Sequence, residues 1–261
     1  MSYDFEISKP LSKNDLRQVS KPSYDDYYWE SPDDEKSYIE NTKKFKNDYL
    51  ISYKNNPIHY KVNNFGFRTN DDFHYTDTAN IFLGCSHTYG TGHHLENTWG
   101  YKVNQKLNNG KFYNLGHAGS GSTTHLRHFL GWYDYPKKVN AVFHYIPPHI
   151  QSNRYEIFQN GVPVVFGYDG SEIGEKLYGD SFKDSYAWER QSNFIFLRDM
   201  STLKYYCEKN NIPYILCDVE LFRPNGQKEG HRWARDCQHF SLEDHTLISE
   251  YMIEKYEKLF G

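Results

Sequence analysis

Several features that would place this chain quickly are scarce or missing. Positive charge has no majority: 30 Lys and Arg stand against 34 Asp and Glu, a net charge of −4. No stretch gathers the basic residues that phosphate contacts need, so nucleic acid is not expected as a partner. No apolar run approaches the roughly 18 to 20 residues that span a bilayer, so no membrane partner is expected either. The opening residues, MSYDFEISKPLSKNDLRQ, lack the apolar core of a secretory signal. A cytoplasmic or virion-associated location is the expectation. Cysteine is sparse: Cys85, Cys207, Cys217 and Cys237 show no CxxC spacing, which predicts free thiols in a reducing compartment. There is no HExxH pattern, and His93 and His94, being adjacent, point apart. No metal and no cofactor are therefore expected, although His87, His117 and His144 all fall near predicted strand ends.

What is abundant is tyrosine, with 24 copies. Such a surface suits contact with sugars or with another protein, and the codon bias of an AT-rich genome produces the same excess. A length of 261 residues fits one sizeable α/β domain with an extension. Residues 1 to about 50 are polar, charged and aromatic, with weak periodicity. KPSYDDYYWESPDDEKS reads as an extended arm, SYIENTKKFKNDYLI as a short helix, and IHYKVNNFGFRTND as a strand or hairpin.

From residue 79 a regular alternation begins. ANIFLG predicts a buried strand. LENTWGYKVNQKLNN places Leu95, Trp99, Val103 and Leu107 four apart on one helix face. KFYNLG predicts a second strand, and STTHLRHFLGWYDY a helix opened by Ser and Thr caps. NAVFHYI predicts a third strand, a long helix follows over about 187–210, and NIPYILCDV predicts a fourth strand. The last helix, SLEDHTLISEYMIEKYEKLF, has Ser241 as its N-cap and Asp244 three residues on, close to a capping box. Strands alternating with helices predict a mainly parallel sheet covered on both faces. The segment 151–186 breaks this rhythm, and Asn160-Gly161 within it signals a hairpin.

One stretch bears on chemistry. In NIFLGCSHTYGTGHHLENTWGYKV, Ser86 follows a buried strand at a glycine turn, just ahead of a predicted helix whose N-terminus favours developing negative charge. A serine hydroxyl needs a base to become a nucleophile. RWARDCQHFSLEDH supplies Asp236 and His239, three apart in a loop before the last helix. At that spacing the carboxylate accepts from one imidazole nitrogen and leaves the other to face Ser86. NLGHAGSGSTT offers Gly116, Gly119 and Gly121, whose backbone N–H groups, with that of Ser86, are candidates for an oxyanion site.

These residues resemble the blocks of the SGNH (GDSL-type) hydrolase superfamily. Gly84-Cys85-Ser86-His87-Thr88-Tyr89-Gly90 is similar to the family's GDSxTxG block. Asn114 leading to Gly119 is similar to its second block, and Asp236 to His239 matches the DxxH that precedes the last helix. The lead-in VNNFGFR also resembles a segment found ahead of the first block, so the likeness spans roughly residues 60 to 255. The resemblance implies a three-layer α/β/α, flavodoxin-like fold. It divides the chain into an N-terminal extension at 1–75 and an SGNH-like domain at 76–261, with an insertion at about 151–186. It implies a serine esterase in which Ser86 is the nucleophile, His239 the base and Asp236 its orienting partner, with the N–H groups of Ser86 and Gly119 as the oxyanion hole. The implied substrate is a small acyl ester, including O-acetyl groups on carbohydrate, and a second copy of the chain stays open as a partner.

Two departures stand out. Cys85 replaces the aspartate of the first block. The third block, GxND, has no counterpart after the third strand, where HYIPPHIQSNRYE runs through Pro147 and Pro148 and offers only Asn153 downstream. Loss of one oxyanion donor lowers rates by on the order of 10²-fold. That keeps open the alternative of a weak or inactive relative, serving as a carbohydrate-binding or virion-associated structural protein. A metal-dependent hydrolase using the histidines is a third reading.

Overall fold

The computed structural model describes residues 12–19, 26–30, 32–146, 154–159, 162–167, 185–217 and 232–261. Its centre is a four-stranded sheet of β1 (Thr78–Gly84), β2 (Lys111–Asn114), β3 (Lys138–Tyr145) and β6 (Tyr214–Leu216), in the order β2-β1-β3-β6. Every pairing in it is parallel. After its first residue β1 is buried throughout, as a sheet covered on both faces requires.

Period-two alternation sorts the β1 side chains between two cores. Ile81 and Leu83 pack with Phe129 and Trp132 of α6 (Ser122–Trp132) and with Leu203 and Cys207 of α7 (Ser185–Lys209). Phe82 packs on the other face with Trp99 and Val103 of α5 (Trp99–Leu107) and with Ile248 and Met252 of α8 (Leu242–Phe260). The result is the three-layer α/β/α arrangement expected from the alternation. Ser241 and Asp244 cap α8 reciprocally, as the sequence suggests. The expected Ser or Thr cap of α6 is absent: Gly121 occupies the N-cap, and the Ser122 hydroxyl donates instead to buried Asp199 on α7 at 2.8 Å. An antiparallel hairpin of β4 (Arg154–Gln159) and β5 (Val162–Gly167) confirms the paired strands read around Asn160-Gly161; those two residues themselves lie outside the described set.

The first part of the chain packs on the sheet domain. Phe67 and Phe73 join the α6 core. Helices α2 (Glu35–Phe45) and α3 (Asp48–Ser52) replace the single helix expected there, separated at Lys46, whose φ of 44° breaks the turn. Leu50, Tyr53, Ile58 and Tyr60 form a third cluster with Tyr89 and Cys237. Tyr53, Tyr60, Tyr113 and Tyr145 are buried and serve packing. No helix among the described residues is long and apolar enough to cross a membrane.

Candidate active site

From the carboxyl end of β1 the chain goes to β2 on one side, and from the neighbouring β3 it goes to β6 on the other, so the order reverses between β1 and β3. The crevice at the carboxyl end of β1 is therefore the topological switch point, where open α/β sheets bind ligands. Ser86 sits there, two residues past the strand. The turn depends on Gly84: a Cβ on that residue would lie 2.0 Å from Thr88 Oγ1 and 2.5 Å from the Tyr145 carbonyl oxygen. The helix expected from Leu95 onward is α5, and a separate turn of helix that the sequence does not suggest precedes it. α4 (Ser86–Tyr89) is one turn, stopped by Gly90 at φ 88°, and α5 begins only at Trp99. Support for negative charge here thus falls to individual N–H groups rather than to a long helix. Ser86 is the first residue of α4, so its N–H has no partner within the helix.

Asp236 and His239 come together as the spacing predicts. His239 Nδ1 donates to Asp236 Oδ2 at 2.5 Å, while Asp236 Oδ1 accepts from the backbone N–H groups of Gln238 at 3.0 Å and His239 at 3.2 Å. Burial pushes the Asp236 carboxyl up. The bond to His239, the charge on that imidazole and the two backbone donors outweigh burial and hold the carboxyl below the usual carboxylate value. Asp236 is inaccessible, whereas the His239 side chain keeps 11 % of its surface. Its ring lies against α4: the His87 ring, one residue past Ser86, is 5.1 Å from it between centroids. Among the described residues the Ser86 hydroxyl makes no hydrogen bond, so the contact that would close a triad is not made in this structure.

The loop between β2 and α6 borders the same crevice. The His117 N–H donates to the Gly84 carbonyl at 2.9 Å. The three glycines weighed for the oxyanion site separate here. The Gly116 N–H is taken by Asn114 Oδ1 at 3.1 Å, and Gly121 caps α6. Gly119 sits in a turn at φ 77°, half-buried like Ser86 and His239.

The residues that hold the Asp236–His239 loop carry no sequence signal. Arg235 donates to Asp33 in a two-pronged, fully buried pair, at 2.8 and 2.7 Å, with its guanidinium 3.8 Å from the Trp29 ring. Asp33 also accepts from the Tyr60 hydroxyl at 2.5 Å, and Tyr60 in turn accepts from the Gly92 N–H at 2.8 Å. The Gly92 carbonyl accepts from the Arg235 N–H at 2.8 Å, and His93 Nε2 donates to the Phe240 carbonyl at 2.6 Å. Asn41 donates to the Asp236 carbonyl at 3.0 Å. The segment after α4 and the N-terminal arm together thus fix the loop against the serine turn. Local patterning cannot point to Asp33 and Arg235 as partners, because they lie 202 residues apart.

His87, His117 and His144 do not converge on a metal site. His144 points to the α6 face, bonded to His125, while its neighbour Tyr145 points to the other face beside His87. No metal-holding group of His, Cys, Asp or Glu occurs among the described residues. None of the four cysteines forms a disulfide; burial pushes the Cys237 thiol, beside Asp236, up to about 12. Pro147, Pro148 and Asn153, where a third-block donor would fall, lie outside the described residues. A polar hollow lined by Thr69, Tyr101, Asn104 and Lys111 lies at the start of β2, the opposite end of the sheet from Ser86.

No family model and no curated protein sequence matches the chain. Among solved structures, it is similar to a lipolytic G-D-S-L family member from Veillonella parvula, at 16% identity and a TM-score of 0.36, over 70% of this chain and 98% of that one. It is also similar to a G-D-S-L family protein from Desulfitobacterium hafniense, at 16% identity and a TM-score of 0.34, over 68% of this chain and 98% of that one.

Proposed function

We propose that this chain is a serine hydrolase of small acyl esters, with O-acetyl groups on carbohydrate within its substrate class. The observation that carries this reading is the short Asp236–His239 bond inside a loop packed against the turn that presents Ser86. A buried carboxylate held in its charged form fixes His239 with a proton on Nδ1 and leaves Nε2 free to accept one. Ser86 Oγ attacks the acyl carbon while its proton passes to His239 Nε2. The carbonyl oxygen becomes an oxyanion, met by the N–H groups of Ser86 and Gly119. The leaving alcohol takes the proton from His239 as the ester C–O bond breaks. Water then attacks the acyl-Ser86 ester, giving a proton to His239; collapse releases the carboxylic acid and returns the proton to Ser86.

The test is hydrolysis of p-nitrophenyl acetate by the wild type beside Ser86→Ala and His239→Ala. Turnover lost in both variants supports the reading. Equal rates in all three proteins would leave the fold as a scaffold for binding.

A further inference from the structure

The oxyanion role assigned to Gly119 depends on the direction of a single peptide plane. Residues 117–120 form a four-residue turn closed by the Ser120 N–H donating to the His117 carbonyl at 3.2 Å. Gly119, third in the turn, has φ 77°, and Ala118 does not have positive φ. That combination is a type II turn. Types I and II differ by a half-rotation of the central peptide, here the Ala118 carbonyl and the Gly119 N–H. The closing bond does not use that N–H, so the same chain path is compatible with the N–H facing either way. Glycine removes the steric penalty of either arrangement.

Two features of the molecule bear on this plane. His117 Nδ1 lies 2.8 Å from the Ala118 carbonyl oxygen, and since that oxygen only accepts, Nδ1 carries the proton. The ends of the turn are tied to a buried chain of polar groups. Ser120 Oγ lies 2.6 Å from the His117 carbonyl and 2.9 Å from His125 Nε2. His125 Nδ1 lies 3.0 Å from His144 Nε2, and His144 Nδ1 lies 3.0 Å from the Tyr214 hydroxyl. Only one proton order suits the short contact at the carbonyl: Tyr214 to His144, His144 to His125, His125 to Ser120, and Ser120 to the His117 oxygen. The reverse order would set two lone pairs 2.6 Å apart. Ser120, His125 and His144 are fully buried, and burial holds His144 neutral, its value depressed to about 3.

We infer that His117 is a positioning residue that pins the Ala118–Gly119 peptide with the Gly119 N–H turned to the crevice, on a turn whose ends are fixed by the Ser120–His125–His144–Tyr214 chain. Its kinetic consequence rests on the hydrolase reading; the peptide orientation does not.

The experiment compares wild type, His117→Leu and His117→Asn. An asparagine side-chain N–H falls close to the position of Nδ1, whereas leucine offers none. The nuclear Overhauser effect from Gly119 H–N reports the plane directly: type II brings it close to Ala118 Hα and type I to Ala118 H–N, while p-nitrophenyl acetate kinetics report its use. The expected result is a loss of the Ala118 Hα–Gly119 H–N contact in favour of the H–N to H–N contact in His117→Leu alone, with kcat lower by about 10²-fold at unchanged KM and recovery in His117→Asn. An unchanged contact pattern in His117→Leu overturns the inference, whatever kcat does. A changed pattern in a protein whose wild type shows no turnover upholds the pinning and removes the hydrolase reading.

Discussion

At the scale of single residues, the site is a set of atoms made available by what their neighbours are forced to do. Gly84 lets the chain turn under Thr88, and Asp236 holds one imidazole nitrogen so that the other is left over. Gly84→Ala puts a methyl group into the Thr88 hydroxyl and the Tyr145 carbonyl. It is expected to lower stability by about 1–3 kcal/mol, read as a lower urea midpoint. Asp236→Asn preserves the acceptor for the two backbone N–H groups but faces His239 Nδ1 with an amide donor. The imidazole then takes the wrong tautomer, and kcat for p-nitrophenyl acetate is expected to fall by on the order of 10⁴-fold while the protein remains folded. A variant within a few fold of wild type would remove Asp236 from the mechanism.

At the scale of elements, the site is an agreement among segments that sequence order keeps far apart. The loop carrying Asp236 and His239 is held by Asp33 from the N-terminal arm and by Gly92 and His93 from the stretch after α4. Arg235→Met strands the Asp33 carboxylate in a dry place and is expected to cost about 3–5 kcal/mol, whereas the double variant Asp33→Leu with Arg235→Met should recover much of that loss. Urea midpoints of the three proteins decide it, and an equal loss in single and double variants would contradict the account. The same elements show where sequence reading succeeds. The sheet, its flanking helices, the β4–β5 hairpin and the reciprocal cap of α8 follow from periodicity and turn residues, which are local. The Asp236–His239 pair follows from a spacing of three. The arm is legible only as an extended polar segment, because Asp33 declares its partner through a fold that brings residue 235 to it. The single turn of α4 is not legible, because the apolar spacing from Leu95 onward suggests a helix close behind Ser86, whereas Gly90 and Gly92 interrupt it.

At the scale of the whole molecule, buried histidines tie the fold to pH. Burial holds His93 down to about 4 and His144 to about 3, and pushes His128 and His245 well below their ordinary value. Unfolded histidine titrates near 6.5, so the unfolded chain binds more protons than the folded one below that pH. The stability at stake is fully present above about pH 6.5 and declines as pH falls through 6.5 toward 4 and 3. All four histidines act in the same direction, so their losses add as pH falls. Asp236, held low, adds to the loss once pH falls below its usual carboxylate range. Urea midpoints measured from pH 7 to pH 5 are expected to drop steadily, and a flat profile would contradict the buried neutral histidines. The central claim remains that one serine among the described residues is made nucleophilic by this fold. The measurement that meets it most directly is intact mass and peptide mapping after treatment with a fluorophosphonate, for wild type and His239→Ala. A single adduct on Ser86 in the wild type, absent or strongly slowed in His239→Ala, is the predicted result. No adduct, or one on another residue, would contradict it.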